Sequence, residues 1–143
     1  MKKEIMLHIE AYQLQNEEKE HVVTLDTVGL SYKNQGYLCL EYEETELIGI
    51  KGTKAQILIP ENNYRKVIVR RTGSSSMQQV FEEGKKYQAA YRTPYGEMSV
   101  EVNPHVVDVE KNPDKLDIGL SYDLVVSGQF VGKHQLNIKA SYI

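Results

Sequence analysis

The sequence has no tryptophan, two phenylalanines and a single cysteine, Cys39. One thiol excludes an intramolecular disulfide and fits a reducing, cytoplasmic setting. No apolar run is long enough to cross a bilayer as a helix. Met1-Lys2-Lys3 begins as a signal peptide would, but His8 and Glu10 interrupt the apolar segment behind it, so neither a leader nor a membrane anchor is expected. An excess of positive charge is missing too. The formal net charge is -3, whereas a general grip on nucleic acid needs a basic excess to displace counterions from phosphates. Nucleic acid is therefore not an expected partner.

Catalytic and metal motifs are equally scarce. Arg70-Arg71-Thr72-Gly73-Ser74-Ser75-Ser76 offers backbone N–H groups to an anion, but it reads first as a polar hairpin turn. No Lys-Ser or Lys-Thr follows a glycine at P-loop spacing. No G-x-S-x-G elbow is present. His8, His21, His105 and His134 are scattered, with no metal-ligand spacing among them. Neither metal nor cofactor is expected. Glu43 and Glu44 point to opposite faces of a strand and make poor acid–base partners. Arg70, Lys85, Lys86 and Arg92 form an outward basic strip, read as an ordinary solvated wall.

What is present is tyrosine and alternation. Ten tyrosines suit strands with a half-wet face, because each combines a packing ring with a hydroxyl that wants a partner. Period two runs through almost the whole chain. Ile5, Leu7, Ile9 and Ala11 alternate with Met6, His8, Glu10 and Tyr12. Leu38, Leu40 and Tyr42 share a face, as do Leu116, Ile118, Leu120, Tyr122 and Leu124, and likewise Leu136, Ile138 and Ala140. Turn signals stand between the runs at Asn34-Gln35-Gly36, Pro60-Glu61-Asn62-Asn63 and Asn112-Pro113-Asp114. Gly29 predicts a bulge or sharp bend, and Pro104 a bulge or an edge position. The stretch Met77–Met98 reads as a hairpin around Glu82-Glu83-Gly84.

No linker, repeat or low-complexity tract divides the chain, so one domain over residues 1–143 is expected. Roughly eight to ten short antiparallel strands in one domain must manage their sheet edges. The predicted fold is all-β, a single antiparallel up-and-down β-barrel, with a two-sheet sandwich as the alternative.

The central block resembles the YwiB-like family of small bacterial proteins. The residues that carry the resemblance are Val67, Val69, Arg71, Gly73, Met77, Gln79, Phe81, Gly84, Tyr91, Tyr95, Gly96 and Glu97. Thr27-Val28-Gly29 with Tyr32, Leu40-Glu41-Tyr42, Tyr122-Asp123, and His134 with Ile138 support it. The match departs mainly between Thr45 and Asn63. The resemblance implies a calycin-like barrel, related in architecture to lipocalins and fatty-acid-binding proteins. It implies no activity, since fold does not fix function.

Strand parity raises one question. Gln79 lies between Met77 and Phe81 on an apolar face. Extended across the strands, the same parity collects Arg71, Gln79, Tyr91, Tyr122 and His134 on one side of the sheet, subject to reversal by any bulge. An apolar cavity with a few convergent polar groups is the usual make-up of a small-ligand site. Arg71 would hold a carboxylate or phosphate with its forked donors. Glu43, Glu44 and Asp123 are its candidate structural partners. The expected function is non-enzymatic binding of a small, partly apolar, anionic ligand. Two alternatives stand beside it. One is a filled barrel with a satisfied polar network, acting through an exposed edge or a homodimer face. The other is an enzyme using the same Arg/Tyr/His cluster.

Overall fold

The computed structural model describes residues 2–15, 18–44 and 53–142. Their regular structure is strand throughout, so no helix among them is long and apolar enough to cross a membrane. The strands are β1 (Lys3–Gln15), β2 (Glu18–Asn34), β3 (Tyr37–Glu44), β4 (Thr53–Pro60), β5 (Lys66–Gly73), β6 (Met77–Glu82), β7 (Tyr87–Thr93), β8 (Gly96–Lys111), β9 (Lys115–Val126) and β10 (Gln129–Tyr142). They form one antiparallel sheet in the order β6-β5-β4-β3-β2-β1-β10-β9-β8-β7. Each strand pairs with its sequence neighbour, except at β6 and β7. The ends of the described chain are brought together by the β1–β10 ladder, from Ile5–Tyr142 to Leu14–Lys133. The sheet thus curls into a nearly closed up-and-down barrel.

Local chemistry accounts for the turns. Gln35 and Gly36 both have positive φ, 50° and 82°. That is the type I′ geometry whose twist matches a two-residue hairpin. Pro104 marks a register shift between Pro104 and Val106 in the β8–β9 ladder, as its missing N–H requires.

Gly29 behaves differently from the expectation of a bulge. Its register with Ile5 is continuous, and the irregularity of that ladder lies at Ala11/Tyr12. The reason for glycine is proximity. A Cβ there would stand 2.5 Å from the Glu41 carbonyl oxygen and 2.8 Å from Leu7 Cδ1.

The Met77–Met98 hairpin also needs correction. Its turn forms, with Gly84 at φ 76° and the Lys85 N–H donating to the Glu82 carbonyl at 3.1 Å. Yet β6 and β7 share no ladder. They flank the seam of the barrel, joined there by the isolated Ser76–Arg92 bridge. The β8 bulge explains the divergence. The Gly84 N–H donates to the Pro104 carbonyl at 3.0 Å, and the Glu83 carboxylate accepts the Val107 N–H at 3.0 Å. The turn is therefore tied to β8, and β7 is carried away from β6.

The main core fills the barrel with inward residues of every strand, among them Leu7, Leu40, Ile59, Val67, Val102, Leu116 and Leu120. A second, small cluster lies on the opposite face of the β2–β6 wall. Cys39, Leu58 and Ile68 are buried there between Tyr32, Tyr37 and Val80. Alternation alone assigns those positions to solvent. Cross-strand packing in the row Tyr32–Cys39–Leu58–Ile68–Val80 covers them instead.

Candidate functional site

Register decides what faces inward on β3 to β6. Leu40, Ile57, Val69 and Gln79 form one cross-strand row, and Tyr42, Ala55, Arg71 and Met77 the next. Ala55, fully buried, leaves room between the larger Tyr42 and Arg71. Gln79 is 8% exposed, and its side-chain carbonyl accepts a bond from Arg71 Nη1 at 3.5 Å, the long limit for such a contact. This answers the question of the amide between two apolar residues. Gln79 occupies the layer where the apolar floor, ending at Phe81, gives way to Arg71.

The facing part of the barrel supplies rings. Tyr122 and His134 are cross-strand partners on β9 and β10. Their rings stack with centroids 5.8 Å apart and planes 17° from parallel. Phe81 meets Tyr122 edge-on at 5.0 Å and 62°, a favourable aromatic geometry. Burial pushes the Tyr122 phenol above its ordinary pKa, and the positive charge of Arg71 opposes that rise. Tyr122 thus stays protonated at neutral pH and able to donate. Burial pushes His134 below its ordinary value, so its imidazole is neutral. His134 Nε2 is buried and has no hydrogen-bond partner among the described residues.

Beside this stack lies an apolar hollow of about 160 Å³. Ile9, Ala11, Val23, Leu25, Tyr42, Ile57, Val69, Leu136 and Ile138 line it, with Arg71 as its one charged lining residue among those described. Arg71 is therefore shared between the hollow and the polar cluster. Arg71, Gln79, Tyr122 and His134 come together much as strand parity predicts. Tyr91 keeps the inward parity of β7 and is half-buried; it pairs with Met98 on β8 and is not among the residues lining the hollow. Of the acids considered as partners for Arg71, Asp123 binds His105 Nε2 through Oδ2 at 3.0 Å, and Glu43 is exposed. Glu44 ends β3; its side chain lies outside the described residues.

The remaining candidates fall elsewhere. Ser75 is buried, its hydroxyl 3.1 Å from that of Thr53. Ser76 uses both its N–H and its carbonyl on Arg92, so this turn helps to close the barrel. Arg70 binds Gln78, and Arg92 binds Glu97. No three His, Cys, Asp or Glu side chains converge as metal ligands among the described residues. Strand parity anticipates an apolar cavity but does not locate it; the locating signal is side-chain size, with Ala11 and Val23 standing opposite each other at inward positions.

Comparison with known proteins agrees with this architecture. A protein of Bacillus subtilis (strain 168) described as "Uncharacterized beta-barrel protein YwiB" is 26% identical over 134 residues, 94% of this chain and 90% of its own. The crystal structure of ywiB protein from Bacillus subtilis matches with a TM-score of 0.83 at 22% identity, over 99% of this chain and 93% of that one. The likeness in structure shows a shared fold. The family model for a domain of unknown function, DUF1934, matches residues 7–138, and the chain belongs to that family.

Proposed function

We propose that this protein is a non-enzymatic, cytoplasmic, calycin-like carrier or sensor that binds a small, partly apolar anion inside the barrel. One observation carries the reading: Arg71 borders the apolar hollow and the polar cluster at once. Its forked guanidinium would take the charge, Gln79 and Tyr122 would supply neutral donors, and the hollow would take the apolar part. Binding rather than catalysis is favoured by the nucleophiles. Tyr122 is held protonated. The Cys39 thiol is pushed up by burial on the outer side of the wall, away from the hollow. Neither is an activated attacking group.

The test is to purify the protein gently from its native source and compare native and denatured masses. A stoichiometric extra mass that is lost on unfolding, and is absent from a folded Arg71→Leu variant, is the expected result. A filled barrel working through protein contacts is the second reading, favoured by the packed rings of Phe81, Tyr122 and His134 that occupy part of the interior. A well-folded protein without extra mass would transfer the assignment to it.

A further inference from the structure

A second pocket lies at the end of the barrel away from the hollow. There Lys3 begins β1, Lys33 stands next to the last residue of β2, and Lys111 ends β8. Each continues the inward parity of its strand, Lys3 with Ile5 and Leu7, Lys33 with Gly29 and Ser31, and Lys111 with Val107 and Val109. The three lysines line one pocket of about 250 Å³. Its floor is Ser31 and Leu38, which are 4% and 3% exposed, and Tyr142 closes one side. The pocket shares no lining residue with the hollow. Along β1, β3 and β10 the buried layer of Ile5, Leu7, Leu40 and Ala140 stands between them.

We infer that this pocket is a second binding site, and that its ligand class is a small molecule carrying a diphosphate group. Charge is the first argument. Three ammonium groups share one pocket in a chain of net charge -3, and no carboxylate lines it among the described residues. The lysine ion pairs of the described residues lie elsewhere, Lys54 with Glu41, and Lys66 and Lys85 with Glu82. Lys3 does have a partner, since its Nζ stands 5.7 Å from the centre of the Tyr142 ring. A ring face attracts a cation without neutralising it. Lys2 adds a further cation at the rim, 4.7 Å from the centre of the Tyr32 ring. Like charges gathered at one pocket repel, and an anion between them replaces repulsion by attraction.

The type of donor is the second argument. Arginine offers a planar fork that suits a carboxylate, whereas lysine is a point charge with three donors. Lysines from three strands reach an anion from several sides, which suits the tetrahedral oxygens of phosphate. The Ser31 hydroxyl adds a neutral donor from the floor. A single phosphate group carries about two negative charges near neutral pH, fewer than the lysines supply, and a diphosphate comes closer to balance. The pocket is open to solvent and sets no limit on what the diphosphate is attached to.

The experiment is calorimetric titration of the full chain at physiological salt with inorganic pyrophosphate, ADP, orthophosphate and citrate. One pyrophosphate per chain should bind at least about tenfold more tightly than orthophosphate or citrate. The Lys33→Met/Lys111→Met variant should lose at least about tenfold of that affinity, whereas Arg71→Leu, at the other end, should keep it. Both lysines are exposed, so the double variant should melt no lower than the parent; if it does, Lys111→Gln alone is read in the same way. ADP as tight as pyrophosphate would place the diphosphate on a larger molecule, and weaker ADP would assign the site to the free anion; either result supports the inference. Citrate as tight as pyrophosphate would overturn the phosphate assignment. No saturable binding, or an affinity untouched by the lysine substitutions, would overturn the site itself.

Discussion

One part of the interior is packed by rings from β6, β9 and the start of β10, Phe81 against Tyr122 with His134 stacked behind it. The part walled by β1–β5 and by Leu136 and Ile138 of β10 keeps an apolar hollow beside Arg71. Both are built on the same inward parity and the same antiparallel ladders. What differs is side-chain volume, rings on one side against Ala11 and Val23 on the other. Fold and hollow are thus set at separate levels, the first by alternation and the second by the size of a few inward residues. The two parts should respond oppositely to changes in volume.

Removing volume from the packed part is the largest perturbation. Phe81→Ala should cost about 3–5 kcal/mol of stability, measured by urea unfolding, because a fully buried ring leaves a cavity that a rigid barrel cannot collapse. A loss below about 1 kcal/mol would show the ring part to be as loose as the hollow. Adding volume on the other side should depend on where it is added. Gly29→Ala should cost about 1–3 kcal/mol, since its Cβ meets the Glu41 backbone oxygen, which cannot swing aside. Ala11→Val should change stability by less than about 1 kcal/mol, since the new methyl groups enter the hollow. A cost at Ala11 equal to that at Gly29 would mean that the hollow is already closed in solution.

The smallest effect concerns protonation, and it compares interior with surface. His134 lies inside, and burial lowers its pKa below 6.5. The unfolded chain then takes up the proton first, so the stability from this residue is lost as pH falls below 6.5. His8 lies on the outer face. Its pKa is raised above 6.5 by its bond to Glu10 at 2.6 Å, with that to Asp26 at 2.5 Å contributing next. Its contribution is full below 6.5 and is lost as pH rises through the folded value. An NMR titration should give His134 the lower midpoint and His8 the higher. Equal midpoints would remove the distinction between the buried and exposed imidazoles.

Much of this architecture was legible in the residues. Alternation placed Ile5, Leu7 and Ile9 inward, and the same parity brought Arg71 to Gln79 and Tyr122 to His134. Pro104 announced its bulge because a residue without an N–H cannot continue a ladder. Three features were not legible, for different reasons. Gly29 answers to a carbonyl on β3, a distance between strands that no local pattern records. The outward burial of Cys39, Leu58 and Ile68 depends on five strands in register. The separation of β6 from β7 comes from a turn bonded to a bulge some twenty residues further on. Tyr91 keeps the inward face that parity gives it, but it is not among the residues that line the hollow.

The placement of the seam has a kinetic consequence. Every ladder but one joins sequence neighbours, so β1–β6 and β7–β10 can each zip up from local hairpins. The exception is β1–β10, which brings together nearly opposite ends of the described chain. Such distant pairing carries the largest loss of chain entropy before any contact rewards it. Two half-built wings would therefore wait on that single meeting, and the rate of folding would be set by the ladder that joins them.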